Sequence, residues 1–252
     1  MCEYQIGVKQ AFSIVKPPSE IHNPKMLIVS FPTRFEAKDL WRRLENPEPF
    51  ELGEVRGKKG LIGGKEIISP ILGMGPAAAA RRTRALLEKL SPELFILAGF
   101  AGALTFDLKH GEVLAASNHA AEKPAEMKSA PLYSAREVIS TANAKAKMAE
   151  ETNCALVDME AAFVAEIARK RGVKFLCVRA VSDLAGENLP AKTLSKSYDM
   201  ARSKETPLKL LFHLLVRPHK ISDFLKFIKP LAGARLRLAD ALVNFIDGRK
   251  TQ

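Results

Sequence analysis

The stretch from Leu156 to Glu187, LVDMEAAFVAEIARKRGVKFLCVRAVSDLAGE, constrains the fold more than any other part of the chain. An apolar run opens at Leu156 and ends in two carboxylates, Asp158 and Glu160. Met159, Phe163, Val164 and Ile167 then recur at the spacing of one helix face. Gly172 stops that helix behind Arg169, Lys170 and Arg171, whose charges suit its negative end. Phe175 to Val181 is a second apolar run without alternation, as expected of a strand buried on both faces. Strand, helix and buried strand in that order make a βαβ unit. Acids at such strand ends lie where open α/β sheets take their ligands, so Glu160 and Asp183 are expected in one site. Arg179, inside the buried run, is costly to bury alone and is expected to find a carboxylate or carbonyl partner.

The same alternation runs through the rest of the chain. Met26 to Phe31 predicts a buried strand, broken by Pro32, and Thr33 is a good N-cap for a helix over Phe35 to Leu44. Glu36, three residues on, is placed either to complete a capping box or to do chemistry. Gly53 to Gly64 reads as turns and hairpin-like connections, and Glu66 to Leu72 as the next strand. A glycine loop, Gly73 to Ala78, precedes a helix over Ala79 to Leu90. The strand Leu94 to Ala98 runs into a turn at Gly99-Phe100-Ala101-Gly102. Gly111 to Ser117 suggests a strand, Leu132 to Ile139 is open between strand and loop, and Ala142 to Glu151 predicts a helix closed by Asn153.

The expected fold class is therefore α/β. It is a single three-layer domain with a central mixed, largely parallel sheet flanked by helices, plus a C-terminal helical extension. Residues 1–25, which end in Lys-Pro-Pro-Ser-Glu-Ile-His-Asn-Pro, read as an N-terminal leader; residues 26–200 form the α/β domain and 201–252 a basic, amphipathic extension.

Several function classes fall away. The loop Gly73 to Ala78 fits G-x-G-x-x-A, but the following strand ends without the acid that a dinucleotide's ribose needs, so no such cofactor is expected. Gly73, Gly75, Gly99 and Gly102 instead mark bare backbone close to a ligand or a neighbouring strand. Three scattered cysteines and five histidines without ligand spacing predict no metal, no cofactor and a reduced, cytoplasmic chain. No apolar run reaches the ~18 residues of a membrane span, and the N-terminus lacks a signal-peptide pattern.

The net charge is +11, and residues 201–252 carry eleven Lys or Arg against four Asp or Glu. Within them lie the apolar run Leu208 to Val216, the short segment Phe224 to Ile228, and an amphipathic helix over Leu231 to Asp247. Such pieces suit a membrane surface, a partner, or packing on their own domain. Phe212, Phe224, Phe227 and Phe245 fall mostly at helical core spacing, so nucleic acid is not an expected partner.

Val157-Asp-Met-Glu-Ala161 and Arg179-Ala-Val-Ser-Asp-Leu-Ala185 resemble the paired signatures of the nucleoside phosphorylase superfamily. The glycine loop, the turn Gly99 to Leu104 and the position of Glu36 follow the same family order over Met26 to Glu187. The resemblance is closest to 5′-methylthioadenosine/S-adenosylhomocysteine nucleosidases, and the short Ser117 to Leu132 stretch and basic tail resemble hopanoid-associated members that act on adenosylhopane.

What the resemblance implies is a purine nucleoside N-ribohydrolase acting on an adenosine-type substrate, with a lipid-linked adenosine as the narrower expectation. Asp183, beside Ser182, would protonate the leaving base, burial keeping it in its acid form. Glu160 would bind the ribose hydroxyls with Met159 on the sugar, Glu36 would activate water, and Val138, Ile139 and Ser182 would line the base. Gly75, Gly99 and Phe100 would lie near the nucleophile. A loop at residues 99–102 without Arg or hydroxyl favours water over phosphate, while Arg81 and Arg82 keep a phosphorylase open as the alternative. Phe100, where the nucleosidases carry a small hydroxyl residue, keeps open a non-catalytic nucleoside-binding protein. The resemblance also implies a dimer, and the tail a contact with the inner membrane face.

Overall fold

A computed structural model describes residues 26–119, 127–189, 198–199, 204–205 and 219–248. The expected leader and the run Leu208 to Val216 lie outside the described residues. The central strands are β1 (Leu27–Ser30), β4 (Lys65–Ile71), β5 (Leu94–Ala103) and β10 (Lys174–Asp183). They lie in the order β4-β1-β5-β10, and all three pairings are parallel.

Period-two alternation along these strands divides the core. Ile28, Phe95, Leu97, Phe175 and Cys177 face one side, with α2 (Pro76–Lys89) and α4 (Ala161–Lys170). Val29, Ile96, Ala98, Leu176 and Val178 face the other, with α1 (Arg34–Trp41) and α5 (His219–Asp247). Both faces are covered, which is why these strands read as unbroken apolar runs. The three-layer α/β architecture with a C-terminal helix is as the sequence predicts.

On one flank, β2 (Glu45–Leu52), β3 (Val55–Ile62) and β4 form an antiparallel meander. The turns expected at Gly53 to Gly64 are the two ends of β3, not a loop region. Its glycines hid the strand: a Cβ on Gly57 would stand 2.2 Å from the Ser69 carbonyl oxygen, and one on Gly60 2.7 Å from that of Glu45. Glycine here permits close strand approach instead of a turn. On the other flank β6 (Val113–Ala116) runs antiparallel to β10 and carries β7 (Ser129–Ala130).

A second correction concerns Gly99 to Gly102, which is strand. β5 stays paired with β10 through Gly102 and takes on β9 (Leu156–Asp158) at Gly102 and Ala103, with β8 (Leu132–Ser134) beyond it. Partners on both sides hold an extended backbone that glycine propensity alone argues against. A third concerns α5, one helix with Pro230 inside it where two segments were expected. Interior proline costs about 3 kcal/mol; burial of Leu231, Ala234, Leu238, Leu242 and Ile246 just beyond it offsets this. The helix α3 (Ala142–Thr152) ends on Asn153 in the left-handed region, as expected. Tyr198–Asp199 (β11) and Lys204–Glu205 (β12) form a separate two-stranded pair.

Candidate active site

The carboxyl ends of β1, β5 and β10 converge, and six buried ionisable side chains, Glu36, Asp158, Glu160, Arg179, Asp183 and Lys145, gather around the last residues of β5. Glu36 is the first. Thr33 caps α1 by accepting from the Glu36 N–H at 3.3 Å, and its hydroxyl donates to Glu36 Oε2 at 2.6 Å. The other carboxylate oxygen accepts from the backbone N–H of Phe100 at 2.9 Å. The capping expectation for Glu36 holds, and the same contacts turn its carboxylate inward toward β5. Burial raises its pKa above the ordinary value, opposed by the Thr33 and Phe100 hydrogen bonds and by Arg179.

Glu160 is the N-cap residue of α4, yet its side chain makes no capping bond. The helix's first amides are served by others: Ala161 N–H donates to Asp158 Oδ2 at 3.0 Å and Ala162 N–H to Ser134 Oγ at 2.9 Å. That releases Glu160 to accept from the Gly75 N–H at 2.7 Å, at the start of α2, where the backbone has φ 84°. Burial and the neighbouring Asp158 push its pKa up to about 8, against the pull of Arg179 and the Gly75 amide.

Arg179 joins these acids. It is fully buried, forms an ion pair with Asp158, and lies 3.5 Å from Glu160 Oε2. Burial works against its charge, but Cys177, Asp158, Glu160 and Glu36 together raise its pKa above the usual value. The expected carboxylate partner is there. Its Nε and Nη1 have no hydrogen-bond partner among the described residues. Gly99, its neighbour across the β5–β10 ladder, explains the fit: a Cβ there would stand 2.4 Å from Nη1 and 2.8 Å from Glu36 Oε1.

Asp183 ends β10 opposite Gly102, whose missing Cβ would be 3.0 Å from Asp183 Oδ2. Ser182 Oγ lies 2.5 Å from Asp183 Oδ1 and 3.1 Å from the Ala101 carbonyl. Beside Asp183 stands a residue that sequence reasoning missed. Lys145 of α3 is wholly buried, its Nζ 2.5 Å from Asp183 Oδ2. In an Ala-, Lys- and Glu-rich helix it looks like a solvent lysine. The available signal was its register, since Lys145 shares a face with Met148 and Ala149, which pack inward.

The remaining expected site residues are less tightly drawn together. Met159 is half-buried beside Glu160. Ile139 packs on the small cluster Leu104, Ala135 and Val157, and Val157 reaches the Gly102 backbone next to Asp183. Val138 is exposed. Phe100 contributes its backbone amide, while its ring lies 6.2 Å from that of Phe35. Arg81 and Arg82, the candidate phosphate ligands, are both paired with Glu54, at 2.5 and 3.6 Å. Among the described residues no cluster of His, Cys, Asp and Glu is arranged to hold a metal. None of the described helices is long and apolar enough to cross a membrane.

The fold and the motifs have counterparts. A 5′-methylthioadenosine/S-adenosylhomocysteine nucleosidase of Bacillus cereus is 28% identical over 193 residues, covering 60% of this chain and 83% of its own length. One from Shewanella halifaxensis is 24% identical over 194 residues, covering 62% and 84%. Among solved structures, futalosine hydrolase of Helicobacter pylori superposes with a TM-score of 0.66 at 18% identity, covering 90% of this chain and all of the other. The 5′-methylthioadenosine/S-adenosylhomocysteine nucleosidase of the same organism gives 0.65 at 18%, covering 89% and 98%. The sequence model of the phosphorylase superfamily matches residues 25–122 and 114–215. The chain belongs to the phosphorylase superfamily.

Proposed function

We propose that the chain is a purine nucleoside N-ribohydrolase that releases adenine from an adenosine-type substrate. The observation that carries the reading is the placement of two buried carboxyls, Glu36 and Glu160, on either side of Arg179 over the bare backbone of Gly99. A neutral water fits between such groups: Arg179 Nη1 supplies a donor and Glu36 an acceptor for its proton. A phosphate dianion there would meet two acids, and Arg81 and Arg82 are held by Glu54.

The division of labour follows from position. Glu36 orients and deprotonates the water. Glu160, at the head of α4 with Met159 beside it, bonds the ribose hydroxyls and balances the positive charge that grows on the sugar as the bond breaks. Asp183 and Ser182 face the base, with Val138 and Ile139 along its wall. Support comes from the nucleosidase activity named for the relatives of Bacillus cereus and Shewanella halifaxensis. The finer reading is a lipid-linked adenosine, taken by a dimer at a membrane surface; the short segment after Ser117 and the basic tail support it.

The test is release of free base from methylthioadenosine, inosine and a lipid-tailed adenosine, each with and without phosphate. Adenine and free ribose products, independent of phosphate and lost on Asp183→Asn, are expected. Ribose 1-phosphate formed only with phosphate would establish a phosphorylase instead. Tight binding without release would leave a nucleoside-binding protein. A lipid-tailed adenosine turned over no better than methylthioadenosine would remove the lipid reading alone.

A further inference from the structure

The leaving base must gain a proton, and the group placed to give it is not an isolated acid. Lys145 is a fully buried ammonium with three oxygens around it. Its Nζ donates to the carbonyls of Leu184 at 2.6 Å and Glu187 at 3.0 Å, and stands 2.5 Å from Asp183 Oδ2. Two carbonyls take two of the ammonium's N–H bonds, and Asp183 Oδ2, which has no hydrogen-bond partner among the described residues, stands at ion-pair distance from the same nitrogen. A buried carboxylate beside a buried cation is in turn the arrangement that tolerates both charges. Lys145 and Asp183 therefore form an ion pair, with Asp183 as the carboxylate.

Built on the nucleosidase reading, we infer that Lys145 and Asp183 act as one proton-sharing pair, with Lys145 as the source of the proton that the departing base takes through Asp183. As the C–N bond breaks, its electron pair passes to the base. Lys145 Nζ passes a proton to the Asp183 carboxylate, which hands it to a ring nitrogen of the base and is a carboxylate again. The attacking water adds its oxygen to the sugar and gives a proton to Glu36. When the products leave, Glu36 returns that proton to solvent and Lys145, left as the amine, takes one back. The sum is nucleoside plus water giving base plus free sugar.

The surroundings suit Lys145 to this cycle. Glu187, whose carbonyl binds Lys145, accepts through Oε2 from the Leu184 N–H at 2.9 Å, and its Oε1 lies 3.0 Å from His110 Nε2. Among the described residues, Asp183 and Glu187, with His110 behind it, are the charged and titratable groups that face Lys145 from β10 and the following loop. The same loop is pinned to the start of α3 by Leu189 N–H to Ser140 O, 2.8 Å, and Ala142 N–H to Asn188 Oδ1, 2.9 Å. Lys145 thus sits where the base-facing strand end, its loop and α3 meet.

The experiment compares wild type, Lys145→Arg and Lys145→Met in steady-state base release across pH, with a thermal melt of each. Arginine keeps the cation but holds its protons past any working pH. Both variants are expected to lose about 10²–10³-fold in kcat, with KM changed only a few-fold. Wild-type kcat is expected to fall in alkali, and that fall to vanish in Lys145→Arg. Wild-type kcat in Lys145→Arg, or an unaltered pH profile in Lys145→Met, overturns the proposal.

Should neither variant fold, the infrared difference spectrum of wild type minus Asp183→Asn at neutral pH decides. Absence of a protonated-carboxyl C=O band is expected, and its presence overturns the ion pair. Wild type that releases no base at all defeats the nucleosidase reading, while the infrared arm still tests the pair.

Discussion

Glu36 Oε1 accepts a hydrogen bond from the backbone of Phe100 across 2.9 Å, tying the first helix to the central strand sixty-four residues later. The Phe100 amide and the Thr33 hydroxyl both favour the ionised form of Glu36, against burial, which raises its pKa. A base must be ionised to work, so kcat/KM is expected to rise with pH through the Glu36 titration. Thr33→Ala removes one of the two bonds and is expected to move that acid limb to higher pH, at a cost of about 1 kcal/mol for the lost cap. Glu36→Gln is expected to lower kcat by about 10²–10⁴-fold without displacing α1. Rate profiles and circular dichroism of the two variants check these outcomes.

Gly99→Ala probes the close approach of Arg179 and Glu36. The added methyl meets Arg179 Nη1 at 2.4 Å and Glu36 Oε1 at 2.8 Å, and neither can withdraw far from a buried network. Overpacking of this kind costs about 1–3 kcal/mol. The expected result is a folded protein with a lower melting temperature and a larger fractional loss in kcat than in stability. A variant as active as wild type would contradict the shared site.

Glu160 predicts a pH dependence of stability. Its carboxyl titrates at about 8 in the fold against an ordinary 4.5, so the folded state binds the proton more tightly than the unfolded chain does. Below pH 4.5 both states are protonated and the group costs nothing. Between 4.5 and 8 the fold loses stability as pH rises. Glu160→Gln keeps an acceptor for Gly75 and removes the titration. Its melting temperature is expected to match wild type near pH 4.5 and exceed it by several degrees at pH 8, as read by scanning calorimetry.

The legibility of the molecule in its sequence divides along physical lines. β1, β5 and β10 were plain because burial on both faces writes itself as unbroken apolar runs. β3 was hidden because Gly57 and Gly60 are there for the neighbouring strand, information that resides in the neighbour and not in the local residues. Glu36, Glu160 and Asp183 were marked by their positions at element ends. Lys145 was not, because a lysine's burial depends on what the helix faces, and only its register with Met148 and Ala149 separates it from exposed Lys147. Arg179 was readable as a residue in need of a partner, though not as the one that gathers three acids.

Arg235 on α5 supports a fourth prediction. Its Nε donates to Asp39 Oδ2 on α1 at 2.6 Å, and its guanidinium lies 4.5 Å from the centre of the Phe35 ring. Burial opposes the Asp39 charge, but Arg235 and Arg42 win and hold its pKa below the ordinary value. That contribution is present above the ordinary aspartate range and is lost as acid titrates the folded carboxylate. Arg235→Met leaves Asp39 buried with only the more exposed Arg42, and is expected to cost about 3 kcal/mol. Urea melts at pH 7 and in acid are expected to differ between wild type and variant at pH 7 and to converge in acid.

Helix α5 lies last among the described elements, yet its Leu238, Leu242 and Ile246 share a core with Ala37 and Leu40 of α1. During synthesis, therefore, the helix that carries Glu36 is made well before the α5 segment that covers it. Asp183 and Glu160, the groups proposed for the base and the sugar, can settle once β10 has joined the sheet, whereas Glu36, the group proposed for the water, is fixed only when α5 docks. A nascent chain stalled before residue 231 is expected to have the nucleoside side of the pocket without a fixed nucleophile, so the ability to bind substrate precedes the ability to destroy it.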